Sequence, residues 1–537
     1  MFIAVMRMLK PSLLAAAFGV AASIVVMPAL GGPTAIVELT FTGGAEFGVP
    51  PPRLARLGRL DLDSGALTMA PCPPTCLGAA PFFDGAVAKS DINGSYVLFN
   101  EGGARLRRIS ASTAAVLETT LLETPSFTMS RLPFDDVFVS GTWSGSHVDW
   151  IDGRSMQRVG SVAVSSSDVG SSPALSVDGA HLFVSAGSRL VKIDAKSRSI
   201  VASRDVGFEF VPVVDRRTGR IYGVDRDRMR AIGFDPQTLD VVFDMPVEEE
   251  DSGDPNGALA VDHRGRLWIE VDSSRGARRV TILDPAVGRQ TGDMVLSGQS
   301  FVAGYRSDRI LRVGQGSSCV AGPYSCGGDA LFEYDAESRF LLRTTPLEFR
   351  TPAEVQSTSR VVLVWMAFLP DTGTAVEFHH AGLDHYFLSA DEGEVDALDR
   401  GAFAGWQRTG QSFEALRSDM GPEGYIPVCR YYGRPERGLD SHFYSASDDE
   451  CLGLGSRYDG AWVLERRDAF YAAPADASTG ACPGDTRPVY RLWNARFDSN
   501  HRYTTSAAIK AEMVARGYVP EGYGPDDVAF CVRNASD

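Results

Sequence analysis

The sequence predicts a mainly β protein: a seven-bladed β-propeller followed by a smaller α+β domain of three repeats. Three observations point there. A short turn pattern, hydrophobic–Asp–x–x–Ser/Thr, recurs seven times between residues 60 and 338, with Ser110 for the Asp in the second copy and Val287 for the Ser/Thr in the sixth, at intervals of 41 to 51 residues. Three His-aromatic segments follow, with His385, His442 and His501 standing 57 and 59 residues apart. The composition is 44% hydrophobic and 22% charged, which is that of a folded globular chain and not of a disordered one.

In chain order, residues 1–31 read as a signal peptide. Arg7 and Lys10 precede an uncharged run, Ser12–Leu30, that ends in small residues. Cleavage is expected near Ala29 to Gly32; the alternative is an uncleaved anchor. No second long apolar run follows, so no stable membrane span is expected after cleavage. The eight cysteines agree with export, because an even count in an exported chain favours disulfides. Cys72 with Cys76 and Cys319 with Cys326 would each staple one loop, while Cys429 with Cys451 and Cys482 with Cys531 would each close one C-terminal repeat. None of the spacings is a C-x-x-C redox or zinc pair, and no cofactor is expected.

Residues 32–370 carry the seven turns. They read LDLDS (Leu60–Ser64), ISAST (Ile109–Thr113), IDGRS (Ile151–Ser155), IDAKS (Ile193–Ser197), FDPQT (Phe234–Thr238), LDPAV (Leu283–Val287) and YDAES (Tyr334–Ser338). Asp and Ser/Thr side chains bond nearby backbone groups and so close tight turns. Alternating strands flank each turn, and a further strand pair lies upstream of most copies. Four short strands in about 45 residues, repeated, is the pattern of a propeller blade. The segment SPALSVDGAHLFVSAGSRLVKIDAKSRSIVAS (Ser172–Ser203) resembles a blade of the YVTN-type seven-bladed propellers. That resemblance implies a fold and no particular activity. The first blade begins with a single strand, Ala35–Gly43, and Arg360–Phe368 is expected to join it and close the ring.

Residues 371–537 hold the second repeat. DHYFLSAD (Asp384–Asp391), SHFYSASD (Ser441–Asp448) and NHRYTTSA (Asn500–Ala507) align with one another. Each follows an aromatic-rich strand and precedes a helical stretch and another aromatic strand. Ser389 to Glu392 and Ser447 to Glu450 fit capping boxes, and Gly517 is placed to stop the third helix. The region resembles a bacterial secreted repeat family of unknown function, built around a His-Phe-Tyr-Thr core. Arg502 departs from that core. The candidate ligand-binding residues are His385, Phe387, His442, Tyr444, His501 and Tyr503. Exposed, they would offer a polar and stacking surface for sugars; buried, they would pack the repeat core. Neighbouring His379 and His380 fall on opposite faces of a strand and do not chelate one ion together.

A net charge of −16 argues against nucleic acid as a partner. No HExxH, G-x-S-x-G or Walker motif is present. The acidic stretch Glu248–Gly257 lacks the spacing of a calcium loop. Two functions remain. One is an exported, non-catalytic binding protein, secreted or periplasmic, whose propeller carries a repeat module that recognises a surface ligand such as a polysaccharide or a protein. The other is a propeller-based, lactonase-like hydrolase with a C-terminal targeting module. The lack of a catalytic motif favours the first.

Overall fold

The computed structural model describes residues 34–534, apart from 44–52, 63, 71–86, 92–93, 101–102, 127–128, 133–135, 142–146, 165–172, 248–253, 263, 273–277, 297–299, 307–308, 315–329, 347–357, 418–423 and 485. The segment expected to be a signal peptide, Cys72, Cys76, Cys319, Cys326 and most of the acidic stretch lie outside the described residues.

The protein is mainly β. From residue 34 to 368 the described strands form small antiparallel sheets of four strands each, seven in all. Six of these sheets are simple meanders. One, for example, runs Ala174–Leu175, His181–Ala186, Arg189–Asp194, Ser199–Asp205. The first sheet is different. Its strand Thr34–Gly43 pairs on one side with Arg53–Asp61 and on the other with the distant Thr358–Phe368.

The recurring turns work through their side chains. Asp194 Oδ1 accepts from the Ser197 backbone N–H at 2.6 Å and from its hydroxyl at 2.7 Å. Asp61 with Ser64, Asp152 with Ser155 and Asp335 with Ser338 repeat this arrangement. The residue after the Ser/Thr position is left-handed in all seven turns: Gly65, Ala114, Met156, Arg198, Leu239, Gly288 and Arg339. A bulge follows, as the register shift between Lys192 and Ile193 illustrates. Only two of the seven positions are glycine, so in the other five the bonds of the Asp (Ser110 in the Ala114 turn) and Ser/Thr help offset the cost of a positive φ.

Successive sheets pack face to face. Val148 and Trp150 of one meet Leu182, Val184 and Val191 of the next. The same holds for Leu98 against Phe138 and Ile151, for Phe183 against Ile221 and Phe234, and for Val224 against Leu267 and Ile269. Middle strands such as Ile221–Asp225 are buried on both faces, whereas outer strands such as Val241–Pro246 are largely exposed. Each fully buried aliphatic or Phe side chain contributes roughly 1.5–3 kcal/mol, so the stability of this region lies between sheets.

From residue 372 on, a strand–strand–helix–strand unit occurs three times. Repeat one is Thr372–His380, His385–Ser389, α1 (Glu392–Asp399) and Trp406–Leu416. Repeat two is Ile426–Gly433, His442–Ser445, α2 (Asp448–Arg457) and Trp462–Ala472. Repeat three is Thr486–Trp493, His501–Thr504, α3 (Ala507–Ala515), then Val519–Glu521 and Val528–Arg533. The first two share a six-stranded sheet joined at Leu416 and Tyr471. All three give side chains to one core, including Phe413, Val428, Tyr444, Phe470, Val489, Tyr503 and Phe530.

The helix starts correct one expectation. The cap of α1 is Asp391, which accepts from the Glu394 N–H; it is not Ser389. Ser447 and Ser506 cap α2 and α3. The third helix ends as expected: Gly517 has φ +94°, with Gly517 N–H bonded to Val514 O and Tyr518 N–H to Met513 O. Cys429–Cys451 and Cys482–Cys531 are disulfides, with Cα atoms 5.8 and 5.7 Å apart.

Candidate functional site

The strand pairings set which residues of the three repeats are equivalent. Glu377 lies opposite Leu388, Arg430 opposite Tyr444, and Arg491 opposite Tyr503. One step on, His379 lies opposite Tyr386, Tyr432 opposite His442, and Trp493 opposite His501. The equivalent of His442 and His501 is therefore Tyr386, and that of Tyr444 and Tyr503 is Leu388. The sequence alignment that groups His385 and Phe387 with these positions is off by one residue. A one-residue slip moves a strand side chain to the opposite face. The helix caps Asp391, Ser447 and Ser506 give the correct register.

His385 belongs instead with Ser441 and Asn500, and these three tie each repeat to another. His385 Nδ1 lies 3.0 Å from Asp440 O, and the Ser441 hydroxyl donates to Ser499 O at 3.0 Å. Asn500 accepts from Tyr386 N–H at 2.9 Å and donates to Tyr386 O at 3.1 Å. The other His385 nitrogen, Nε2, is 3.0 Å from the Asp498 carboxylate.

Buried and half-buried ion pairs fill the seams between repeats. Arg430 of repeat two donates through both terminal nitrogens to Glu394 of α1, at 2.8 Å each. Its Nε lies 3.0 Å from Glu465, which sits 3.2 Å from His442 Nε2. The next seam repeats the design. Arg491 donates to Glu450 of α2 at 2.9 and 3.1 Å; its Nε is 3.0 Å from Glu521, and Glu521 is 3.4 Å from His501 Nε2. Each arginine also lies over an aromatic ring of the preceding repeat, Arg430 over Phe387 and Arg491 over Phe443.

At the third seam the charges are exchanged. Repeat one has Glu377 where the others have arginine, and α3 has Ile509 where α1 and α2 have Glu394 and Glu450. Arg502, at the position of Phe387 and Phe443, donates to both oxygens of Glu377 at 2.9 Å and covers the Tyr386 ring. The departure of Arg502 from the His-Phe-Tyr-Thr core thus has a structural reason: it neutralises Glu377.

These surroundings set the protonation states. Burial works against the Glu394 carboxylate, but Arg430 and the Ser389 hydroxyl outweigh it and hold its carboxyl down at about 2. Burial likewise opposes charge on Glu450, Glu465 and Glu521, and their Arg and His partners still bring each below the usual range. The phenols of Tyr444 and Tyr503 are raised by burial. The Tyr444 hydroxyl donates to Leu388 O, and the Tyr503 hydroxyl donates to Tyr444 O at 2.8 Å while accepting from Tyr444 N–H at 2.8 Å.

Of the six candidate ligand-binding residues, His385, Phe387, Tyr444, His501 and Tyr503 are buried. His442 keeps 18% of its side chain exposed. His379 lies 3.2 Å from Asp384, and His380 packs edge-on against Trp406. Sequence reasoning missed the glutamates and arginines of the seams. Two short signals mark them: Val-x-Arg at Val428–Arg430 and Val489–Arg491, and a Glu five residues after Ser389 and Ser445.

No family model and no curated protein matches the chain. Solved structures similar to it include hydrazine synthase of Kuenenia stuttgartiensis, at 15% identity and a TM-score of 0.36, covering 60% of this chain and 83% of that one. Another is the mitotic checkpoint complex, at 15% identity and a TM-score of 0.36, covering 44% of this chain and 71% of that one. Likenesses this distant carry no conclusion about the fold or activity of this chain.

Proposed function

We propose that the chain is an exported, non-catalytic binding protein in which a seven-bladed propeller carries a three-repeat module that recognises a surface polysaccharide. The ring reading is supported by the face-to-face packing of successive sheets. It is also supported by the pairing of Thr358–Phe368 with Thr34–Gly43, and by Arg343 of the seventh sheet donating to Leu62 O beside the first at 3.4 Å. The two disulfides fit an oxidising compartment. No helix among the described residues is long and apolar enough to cross a membrane. On this reading the N-terminal part resembles YVTN-type propellers and the C-terminal part the secreted repeat family.

One observation carries the binding reading. The histidines, tyrosines and ion pairs of the repeat cores are engaged with one another, so recognition falls to the hairpin ends. There Phe497 is 85% exposed; it follows Arg496, which pairs with Asp384 and donates to the carbonyl of half-exposed Leu383. An exposed ring with polar neighbours suits a sugar face. The test is sedimentation of the full chain with insoluble cell-wall and capsular polysaccharides, beside its Phe497→Ala variant. Saturable binding weakened at least fivefold by the substitution supports the reading. Binding to none of the polymers, or turnover of lactone and ester substrates, rejects it.

A further inference from the structure

His501 is placed unlike the other histidines of the module. It is 6% exposed, and its ring meets Phe443 edge-on at 5.0 Å and Trp462 at 6.5 Å, both from repeat two. Among the described residues its Nδ1 has no hydrogen-bond partner. Its Nε2 faces Glu521, a carboxylate already held by Arg491. A neutral ring tolerates this setting, because one nitrogen donates to Glu521 and the other carries no proton. A protonated ring would bury an N–H with no acceptor against two aromatic rings, at the seam that holds repeat three to repeat two.

We propose that His501 is an acid-sensing latch: protonating its ring opens the seam between the second and third repeats. The charged groups around it come from three elements. Glu521 is on Val519–Glu521, Arg491 on Thr486–Trp493, and Glu450 on α2. Trp462 and Phe443 of repeat two pack their rings against it without charge. Burial pushes the imidazole below its ordinary value of 6.5; the two glutamates oppose that and Arg491 adds to it. A histidine lowered on folding leaves the seam at full strength above about pH 6.5 and weakens it as pH falls below that value. The seam glutamates, all lowered from 4.5, lose their contribution only under more acidic conditions. The interval between about pH 5 and 6.5 therefore belongs to the histidine.

The test is hydrogen exchange on the full chain, read at peptides covering 443–445 and 501–504 and corrected for the intrinsic pH dependence of exchange. One linked proton changes the opening equilibrium by at most about tenfold per pH unit. Opening at both peptides should rise up to about fivefold between pH 6.5 and 5.5. In His501→Gln the change should be under about twofold. His181→Gln should keep the wild-type response at both peptides, although burial also lowers His181, in the N-terminal sheets. An unchanged acid response in His501→Gln, or its loss in His181→Gln, overturns the latch. Should the glutamine variant not fold, the labelled imidazole in the wild type decides. A ring that is neutral at pH 7 and gains its proton only as the 501–504 peptide opens supports the latch, and a ring charged at pH 7 refutes it.

Discussion

Tyr444 tests whether the His-aromatic segments are architecture or a binding surface. Its ring is 2% exposed, 5.2 Å from the Tyr503 ring and 6.3 Å from Phe470, and its hydroxyl donates to Leu388 O in repeat one. Tyr444→Phe keeps the ring and leaves a buried carbonyl without its donor, a loss of about 1–3 kcal/mol. Tyr444→Ala also opens a cavity where the three repeats meet, and large-to-small changes of this kind cost about 3–5 kcal/mol. For a unit of this size each kcal/mol moves the midpoint by roughly 2–4 °C, so the alanine variant should melt about 6–20 °C lower. Calorimetry of the full chain reads this directly. The exposed Phe497→Ala is the control and should stay within about 2 °C, since surface changes cost roughly 0.5 kcal/mol or less. If Tyr444→Ala melted within about a degree of wild type, the shared core of the three repeats would be wrong.

Further outcomes follow from the seams and the crosslinks. Arg430→Met should cost about 3–5 kcal/mol because it strands Glu394, while Glu394→Leu combined with Arg430→Met should cost clearly less; denaturant titration of both checks this. Glu394 is held at about 2 against an ordinary 4.5, so its stabilisation is complete above pH 4.5 and is lost as pH falls from there towards 2. Glu394→Gln should flatten that stretch of the stability–pH curve. Without reductant, unfolded protein should show no free thiol at Cys429, Cys451, Cys482 or Cys531 by alkylation and mass mapping. Reduction should remove about 3–4 kcal/mol per bridge, given loops of 22 and 49 residues.

Much of this architecture was legible in the sequence because it is local. Each Asp-x-x-Ser/Thr turn is closed by atoms three residues apart, and the start of α2 follows from Ser447 beside it, whereas that of α1 falls on Asp391 rather than Ser389. The Cys429–Cys451 pairing is likewise local, contained in repeat two, while Cys482 stands just before repeat three and pairs with its last strand at Cys531. The register of repeat one was not legible. His385 imitates His442 and His501 in type, and only the caps at Asp391 and Ser447 show that the match is displaced. The exchanged charges of Glu377 and Arg502 were hidden for another reason: they answer each other across 125 residues, where no period or spacing links them. Burial of the candidate ligand residues also depends on how three repeats converge, which a single repeat does not reveal.

The pairing of Thr34–Gly43 with Thr358–Phe368 also has a consequence in time. The earlier strand leaves the ribosome long before its partner exists, so the first sheet waits with one raw edge while the next six sheets are made. Contacts between residues so far apart form late and slowly. Throughout that delay the open edge can recruit a strand from a neighbouring nascent chain. Yield of this protein should therefore depend on how crowded its own synthesis is. Slowing expression should recover more native protein than any substitution within the turns.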